Sequence, residues 1–257
     1  MMEYAIGAAA LAASLLTLFS GFGLGTLLLP VFSIFFPVHV SVALTGIVHL
    51  ANNLFKLGLV GRYGKRDLIG RFGLPSVAGG ILGALLLSRL SDIPVWYRWY
   101  WGERLCEVTP LKLTMAALML FFAAFELVPV LKKYSFPRSF LLPGGFVSGF
   151  FGGLSGHQGA LRSAFLVRFQ LEKEVFIGTG VAIACMTDMV RIPVYMERFG
   201  ASEAIKAWPV LLIAIVCAFA GAYLGTRYMR KVTLPFVQYC TAILIMVIAL
   251  LLGTGIL

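Results

Sequence analysis

Apolar runs close to the length of a membrane span recur along this chain, and this repetition restricts the fold more than any single motif. A helix needs about 20 apolar residues to cross the hydrocarbon of a bilayer. Of the 257 residues, 60% are hydrophobic and 12% are charged, and the mean hydropathy is +0.94. A soluble domain has a far more polar composition. The pattern therefore predicts an all-α polytopic membrane protein.

The net charge of +10 comes from lysines and arginines that gather in short loops. The basic loops are 61–71, 132–138 and 227–231. Because such loops stay on the cytoplasmic side of a membrane, we expect the loops 88–110 and 197–206 to lie outside. The charge is thus explained by membrane orientation, and we expect no nucleic-acid partner.

Several classes of segment and site are not expected. The N-terminal residues carry an acid and no basic region, so they do not resemble a cleaved signal peptide. The four cysteines, Cys106, Cys185, Cys217 and Cys240, show no CxxC spacing, so neither a disulfide framework nor a metal site is expected. Enzyme motifs such as HExxH, GxSxG and the Walker loop are missing. We expect no cofactor and no enzyme activity.

The order of the apolar segments repeats once along the chain, which predicts a tandem duplication. Each half contains two short arms separated by glycines and then three full helices. The first half, 1–135, has a hairpin at 4–36 and spans at 40–60, 72–87 and 111–131. The second half, 136–257, has a hairpin at 140–169 and spans at 175–196, 204–228 and 234–252. A shift of about 134 residues places Gly25 on Gly159.

The positions of the basic loops also predict how the two halves are oriented. If those loops are cytoplasmic, each two-arm element enters and leaves on the same side, and three crossings follow it. Halves with an odd number of crossings are inverted repeats, the arrangement of many secondary transporters with a site at the midplane. In the alternative, each two-arm element crosses once, and the basic residues at 227–231 then face outward.

The segment 148–165 combines a run of glycines with polar and cationic side chains. Five glycines within 149–159 disfavour a continuous helix, so we expect the backbone to open there. A helix that starts near Gly156 would point its free N–H groups and its positive dipole end toward an anion beside Arg162. In the alternative, the glycines only allow two membrane helices to pack closely.

A polar stripe lies on the helix after the first hairpin. His49, Asn52, Asn53 and Lys56 recur at three- and four-residue spacing, so they share one face. Such a face must line the protein interior or water, which favours a permeation path. Lys56 alone could extend to the cytoplasmic surface.

The corresponding helix of the second half carries Asp188 and Arg191 on one face. These residues could neutralise each other as a pair within the helix. Alternatively, Arg191 binds an anion and Asp188 couples transport to protons. The sequence does not separate the two readings.

The loop before the third span is rich in aromatic residues. Trp96, Tyr97, Trp99, Tyr100 and Trp101 lie close together there. Aromatic residues gather at the membrane surface, and this explains the cluster better than a binding platform does.

Two glycine-rich motifs resemble the signature of the sulfite exporter family, usually called TauE/SafE. The first copy is GFGLGTLLLP at 21–30, followed by ALTG at 43–46. The second is GLSGHQGALRSAF at 153–165, followed by GTG at 178–180. The second copy departs from the family pattern, because His157, Gln158, Ala160 and Arg162 occupy places that are usually small or apolar, and Ala164 or Phe165 stands where proline is common. The resemblance implies a duplicated bacterial inner-membrane protein that transports sulfite, sulfonates or related anions, often outward.

The resulting hypothesis is a secondary transporter that exports a small sulfur-containing oxyanion by alternating access. The anion would be held by helix N-termini and Arg162 near the midplane of the membrane. A passive anion channel is one alternative, and a membrane-embedded enzyme using His49 and Asp188 is another. The expected partners are a small anionic substrate and the lipid bilayer, with a second copy of the chain as a further candidate. Asp188 is the predicted coupling residue. The predicted substrate-binding residues are Gly23, Gly25, His49, Asn52, Asn53, Gly156, His157, Gln158, Gly159, Arg162, Ser163 and Arg191.

Overall fold

The computed structural model describes residues 2–20, 24–127, 136–199, 205–228 and 234–257. Within these ranges the chain forms ten α-helices and one two-stranded sheet. The helices of the first half are α1 (Met2–Ser20), α2 (Leu24–Phe35), α3 (Val38–Val60), α4 (Arg66–Ser91) and α5 (Pro110–Leu127). Those of the second half are α6 (Leu141–Ser155), α7 (Gln158–Leu166), α8 (Lys173–Phe199), α9 (Trp208–Tyr228) and α10 (Leu234–Gly253). The predicted helical membrane protein is confirmed.

Four of the described helices are long and apolar enough to cross a membrane. They cover Val38–Tyr63, Arg66–Ser91, Lys173–Phe199 and Trp208–Gly225. The other two predicted spans appear as shorter apolar helices within the described residues, Pro110–Ala124 and Ala242–Gly253. The basic residues at 132–135 and 229–231 lie outside the described residues, as does Gly23.

Helix α4 extends several residues beyond the predicted span at both ends. It runs over Arg66–Ser91, whereas the sequence predicted 72–87. Its first turn carries Asp67, which forms an ion pair with Arg71 one turn later. A carboxylate near a helix N-terminus is favourable, so the helix begins in the charged loop before the apolar run.

The strongest helix packing joins elements from different halves. Helix α6 packs along α4, and α1 packs along α9. At the α4–α6 contact, a Cβ atom built on Gly149 would lie 2.0 Å from the carbonyl oxygen of Ser76. At the α1–α9 contact, a Cβ on Gly221 would lie 2.3 Å from the carbonyl oxygen of Leu11. Only glycine permits backbones to approach so closely.

The opening in the glycine-rich segment is narrower than predicted. Helix α6 continues through Gly149 and Gly153 and ends at Ser155. Gly156 then adopts φ +79°, and α7 begins at Gln158. The earlier glycines stay helical because their missing side chains make room for α4. Close packing, the alternative reading, therefore accounts for these glycines, while the predicted opening is confined to residues 156–157.

The aromatic loop contains a feature that the sequence analysis missed. Strands β1 (Tyr97–Trp101) and β2 (Arg104–Val108) form an antiparallel hairpin. Gly102 at its turn has φ +61°, a conformation that favours glycine. The Nε1–H of Trp99 donates to the carbonyl oxygen of Thr254, 2.7 Å away. The hairpin and the C-terminal end of the chain therefore lie on the same face of the protein.

The first full helix of each half, α3 and α8, cross the protein in opposite directions. At one end, the rings of His39 and Phe199 lie 4.8 Å apart. At the other end, the backbone N–H that follows α3, at Lys65, donates to Thr179 Oγ1 over 2.9 Å. The start of each helix thus faces the end of the other.

Apolar side chains fill the space around this central pair in three clusters. One joins α3, α4, α5 and α10, with single contributions from α2, α6 and α8. A second joins α1, α2, α3 and α9. A third joins α4, α6, α7 and α8. The buried polar residues lie mainly on α3, α7 and α8, between these clusters.

Candidate functional site

Most of the predicted site residues are buried together in the centre of the molecule. The buried polar side chains of α3 are His49, Asn52, Asn53 and Lys56, those around the start of α7 are His157, Gln158 and Arg162, and those of α8 include Thr187, Asp188 and Arg191. None of them is more than 9% exposed. Polar groups so deep in an apolar protein require partners.

Asp188 is the centre of a hydrogen-bond network that joins three helices. Its carboxylate accepts from His49 Nδ1 at 2.6 Å, from Arg191 Nε at 2.8 Å and from Gln158 Nε2 at 3.1 Å. The amide of Asn53 lies 3.2 Å from Nε2 of the same histidine. The predicted pair of Asp188 and Arg191 is therefore present. Asp188 also connects this pair to α3 through His49 and to α7 through Gln158.

Arg191 closes the end of α6. Its Nη1 donates to the carbonyl oxygen of Gly152 at 2.8 Å, and the hydroxyl of Tyr195 donates to that of Gly153. These carbonyls belong to the last turn of α6, where a positive charge is favourable. Tyr195 was not predicted as part of the site. Its position four residues after Arg191, on the same helix face, was the available signal.

The first turn of α2 and the turn between α6 and α7 meet beside Arg191. A Cβ built on Gly25, in the first turn of α2, would lie 3.4 Å from the carbonyl oxygen of Gly156. The same Cβ would lie 3.5 Å from Thr45 Cγ2 on α3. A Cβ on Gly46 would lie 3.5 Å from Arg191 Nη2. The starts of α2 and α7 therefore converge on the centre of α3 and α8.

Arg162 lies farther along α7 and packs against α8. A Cβ built on Gly180 would be 3.4 Å from Arg162 Nε, so a glycine leaves room for the guanidinium. Gly159 is buried in the same helix, and Ser163 is partly buried. The structure thus places this arginine next to the α8 segment that begins at Gly178.

His157 faces a different neighbour. Its ring stacks on Phe122 of α5, with the ring centres 5.1 Å apart and the planes almost parallel. Its Nδ1 lies 3.1 Å from Ser155 Oγ. The described contacts of His157 are therefore with α5 and α6, while its sequence neighbour Gln158 reaches Asp188.

Asn52 forms a branch of the polar stripe that reaches toward α1 and α9, and it also bonds to Lys56. When the side-chain amide of Asn52 is oriented so that both its nitrogen and its oxygen are hydrogen-bonded, the nitrogen donates to Ser14 Oγ at 3.1 Å and to the carbonyl oxygen of Ala218 at 3.2 Å. Its oxygen then accepts from Lys56 Nζ at 3.0 Å. Lys56 is only 6% exposed. The alternative in which it extends to the cytoplasmic surface is therefore wrong.

Several buried polar atoms of the centre have no hydrogen-bond partner among the described residues. Three can donate, namely Thr45 Oγ1, Arg162 Nη1 and Arg191 Nη2. Two accept, Gln158 Oε1 and His157 Nε2, because the Ser155 hydroxyl donates to the carbonyl of Phe151 and must therefore accept from His157 Nδ1–H. Buried polar atoms are almost always hydrogen-bonded, so this excess of donors suits an anion. Among the residues that the structure describes, no group of histidines, cysteines and acids could hold a metal ion.

Comparison with known proteins gives one match, to a protein family. The model of the family described as "Sulfite exporter TauE/SafE" matches residues 6–252, which include nearly all of both halves. No curated protein and no solved structure matches the chain. The family consists of membrane transporters, so the enzyme alternative does not hold. A match over so much of the sequence, on a helical membrane fold with a cationic centre, shows that the chain belongs to the sulfite exporter TauE/SafE family.

Proposed function

We propose that this protein is a secondary transporter that exports a small sulfur oxyanion, such as sulfite or a sulfonate, by alternating access. Family membership supports the transport of sulfur-containing anions. The observation that carries the specific proposal is a pair of buried guanidinium groups, each with an unpartnered N–H. Arg191 lies beside the place where the two hairpins meet, and Arg162 lies one turn into α7. One copy of the chain supplies every residue of this site, so the proposal requires no homodimer.

The proposed architecture is a pair of inverted repeats, 1–135 and 136–257. Two features support it. The equivalent helices α3 and α8 run antiparallel, as inverted copies require. Helices of each half also pack against helices of the other half, since α1 contacts α9 and α6 contacts α4. In this arrangement the two hairpins enter from opposite faces and meet inside the membrane.

We place the anion at the start of α7, near Arg162. The free backbone N–H groups around Gln158 and Gly159 and the positive end of the helix favour a negative charge there. The starts of α2, at Gly25, and of α7 supply N–H groups from both hairpins. Arg191 lies next to the same place and contributes one further donor, Nη2. Ser163, one residue after Arg162, is a further candidate ligand.

Not every predicted binding residue takes the same part in this proposal. Asn53 and His49 lie beside Asp188, whereas Asn52 faces α1 and α9 and His157 faces α5. We propose that the last two act by holding neighbouring elements in place.

Coupling is assigned to the pair of His49 and Asp188. A carboxylate and an imidazole in direct contact can share or release a proton, and this changes the charge that faces the anion. The pair also joins α3 to α8, so its protonation would alter the contact between the two proposed repeats. This arrangement supports a proton-driven cycle.

The test is sulfite flux in proteoliposomes, with Arg162→Gln compared with Arg168→Gln. Arg162 is buried in the site, whereas Arg168 is an exposed arginine near the end of the same hairpin. We expect Arg162→Gln to lower the flux at least tenfold, about 1.4 kcal/mol in transition-state terms, because a charge-assisted contact is lost. Arg168→Gln should leave the flux unchanged.

Both variants are checked for folding by size-exclusion chromatography and thermal melting. Normal flux through a folded Arg162→Gln protein would remove this residue from the site. Flux that rises linearly with sulfite concentration and ignores a proton gradient would indicate the passive channel instead.

A further inference from the structure

The buried centre contains more positive than negative charge. Asp188 is the one buried carboxylate among the side chains that the structure describes. It forms its ion pairs with Arg191 and His49. Lys56 and Arg162 are also buried, at 6% and 9% exposure, and no described carboxylate lies within ion-pair distance of either. Two buried cations therefore have no ion-pair partner among the described residues.

The geometry of α3 and α8 places these two cations at the same depth. Three contacts follow one antiparallel register: Gly46 with Arg191, His49 with Asp188, and Val60 with Gly178. In that register, Lys56 lies level with Val181, the residue next to Gly180. Arg162 packs on Gly180, with its Nε 3.4 Å from a Cβ built there. Lys56 also follows His49 by seven residues, so it lies on the α3 face that meets Asp188 of α8.

Both cations also have unused hydrogen-bonding capacity. An ammonium group has three donors, and the described partner of Lys56 is the oxygen of Asn52. Nη1 of Arg162 has no described partner. Two uncompensated charges in a low-dielectric interior are strongly unfavourable unless an anion neutralises them. A singly charged anion would leave one of them unpaired.

We infer that Lys56 and Arg162 form a two-cation subsite and that the anion it takes carries two negative charges. This inference rests on the proposed function and narrows the substrate class. Sulfite, sulfate and thiosulfate carry two charges when fully ionised, whereas an alkylsulfonate such as methanesulfonate carries one. Lys56 is thus a specificity residue, since its ammonium group distinguishes the two classes by charge.

The test measures binding of the two anion classes to the purified full-length chain by isothermal titration. The doubly charged probes are sulfate and thiosulfate, and the singly charged probe is methanesulfonate, which has a similar group of sulfur-bound oxygens. We expect the better dianion to bind at least tenfold more tightly than methanesulfonate. In Lys56→Gln this preference should fall below threefold, and Lys56→Arg should restore it.

The matched control is Lys65→Gln, which removes the same charge from an exposed position just beyond the same helix. It should keep the preference of the wild type. If Lys56 has only a structural role, Lys56→Gln should weaken the binding of both anion classes equally and leave the ratio of their affinities unchanged. That result would overturn the inference.

Two further outcomes separate this inference from the proposed function. Equal binding of methanesulfonate and the dianions by the wild type, together with saturable sulfite flux in proteoliposomes, would refute the subsite and leave the transporter intact. If no sulfur oxyanion binds or moves at all, the proposed function fails and this inference fails with it.

Discussion

The contact between α4 and α6 predicts that Gly149→Ala, which adds a single methyl group, strongly lowers the stability of the protein. The added methyl carbon would lie 2.0 Å from the carbonyl oxygen of Ser76, whereas an ordinary contact begins at 3.4 Å. The two helices would have to separate by the difference, about 1.4 Å, because the opposing atom belongs to the backbone and cannot rotate away. On the same face, Gly153 approaches α4 as closely and Gly145 almost as closely.

Separating the helices would therefore weaken the contacts of three successive turns. Overpacking by a methyl group costs about 1–3 kcal/mol, and we expect the upper end of that range here. The measurement is the melting temperature in detergent, followed by size-exclusion chromatography after heating. Gly149→Ala should melt several degrees below the wild type.

The matched control is Gly70→Ala in α4. No atom lies within 4 Å of a Cβ built at Gly70, so the methyl group has free space. Alanine also favours a helix over glycine by up to about 1 kcal/mol, and the control should melt at or slightly above the wild-type temperature. If the two variants melt alike, the close backbone contact does not determine the stability of this pair of helices.

Two further substitutions test the polar centre. Tyr195→Phe removes the hydroxyl that donates to Gly153, and the buried carbonyl left behind should cost about 1–3 kcal/mol, seen as a lower melting temperature; an unchanged temperature would contradict the proposed closing of α6. Asp188→Asn leaves Arg191 as an uncompensated buried charge and should destabilise the protein by about 3–5 kcal/mol, whereas Asp188→Asn with Arg191→Gln should recover part of that loss. Additive effects in the melting curves of these variants would show that the two residues do not act as a pair.

The order of the helices could be predicted because hydropathy and glycine breaks are local signals. A described helix overlaps each of the six predicted spans, and described helices, α1 with α2 and α6 with α7, also cover both two-arm elements. Helix ends were less accurate. Helix α8 covers Lys173–Phe199, for example, beyond the predicted 175–196. Charged and aromatic residues continue such helices past the apolar run, where hydropathy no longer marks them.

The choice of residues for the polar centre was predictable, but their partners were not. Spacing along a helix placed His49 with Asn53, and Asp188 with Arg191, on common faces. Whether such a residue bonds within its own helix, reaches the surface or joins another helix depends on contacts between helices that are distant in sequence. The burial of Lys56, for instance, depends on Asn52, whose other partners lie on α1 and α9. No pattern within α3 contains that information.

The glycine-rich segment shows the same limit in the backbone. Helix propensity predicts that a run of glycines weakens a helix, but propensity is a small term compared with packing. Gly149 and Gly153 remain helical because α4 lies directly against them, while Gly156 ends the helix with a positive φ. The sequence alone does not show which glycine serves which purpose.

The packing of α1 against a helix of the other half also affects when the protein can assemble during synthesis. Helix α1 is synthesised well before α9, yet α9 is its main contact. Until then, the glycine and alanine face of α1 has only lipid or a temporary neighbour against it. The main packing contact of α1 therefore cannot form until the second half of the chain has been synthesised.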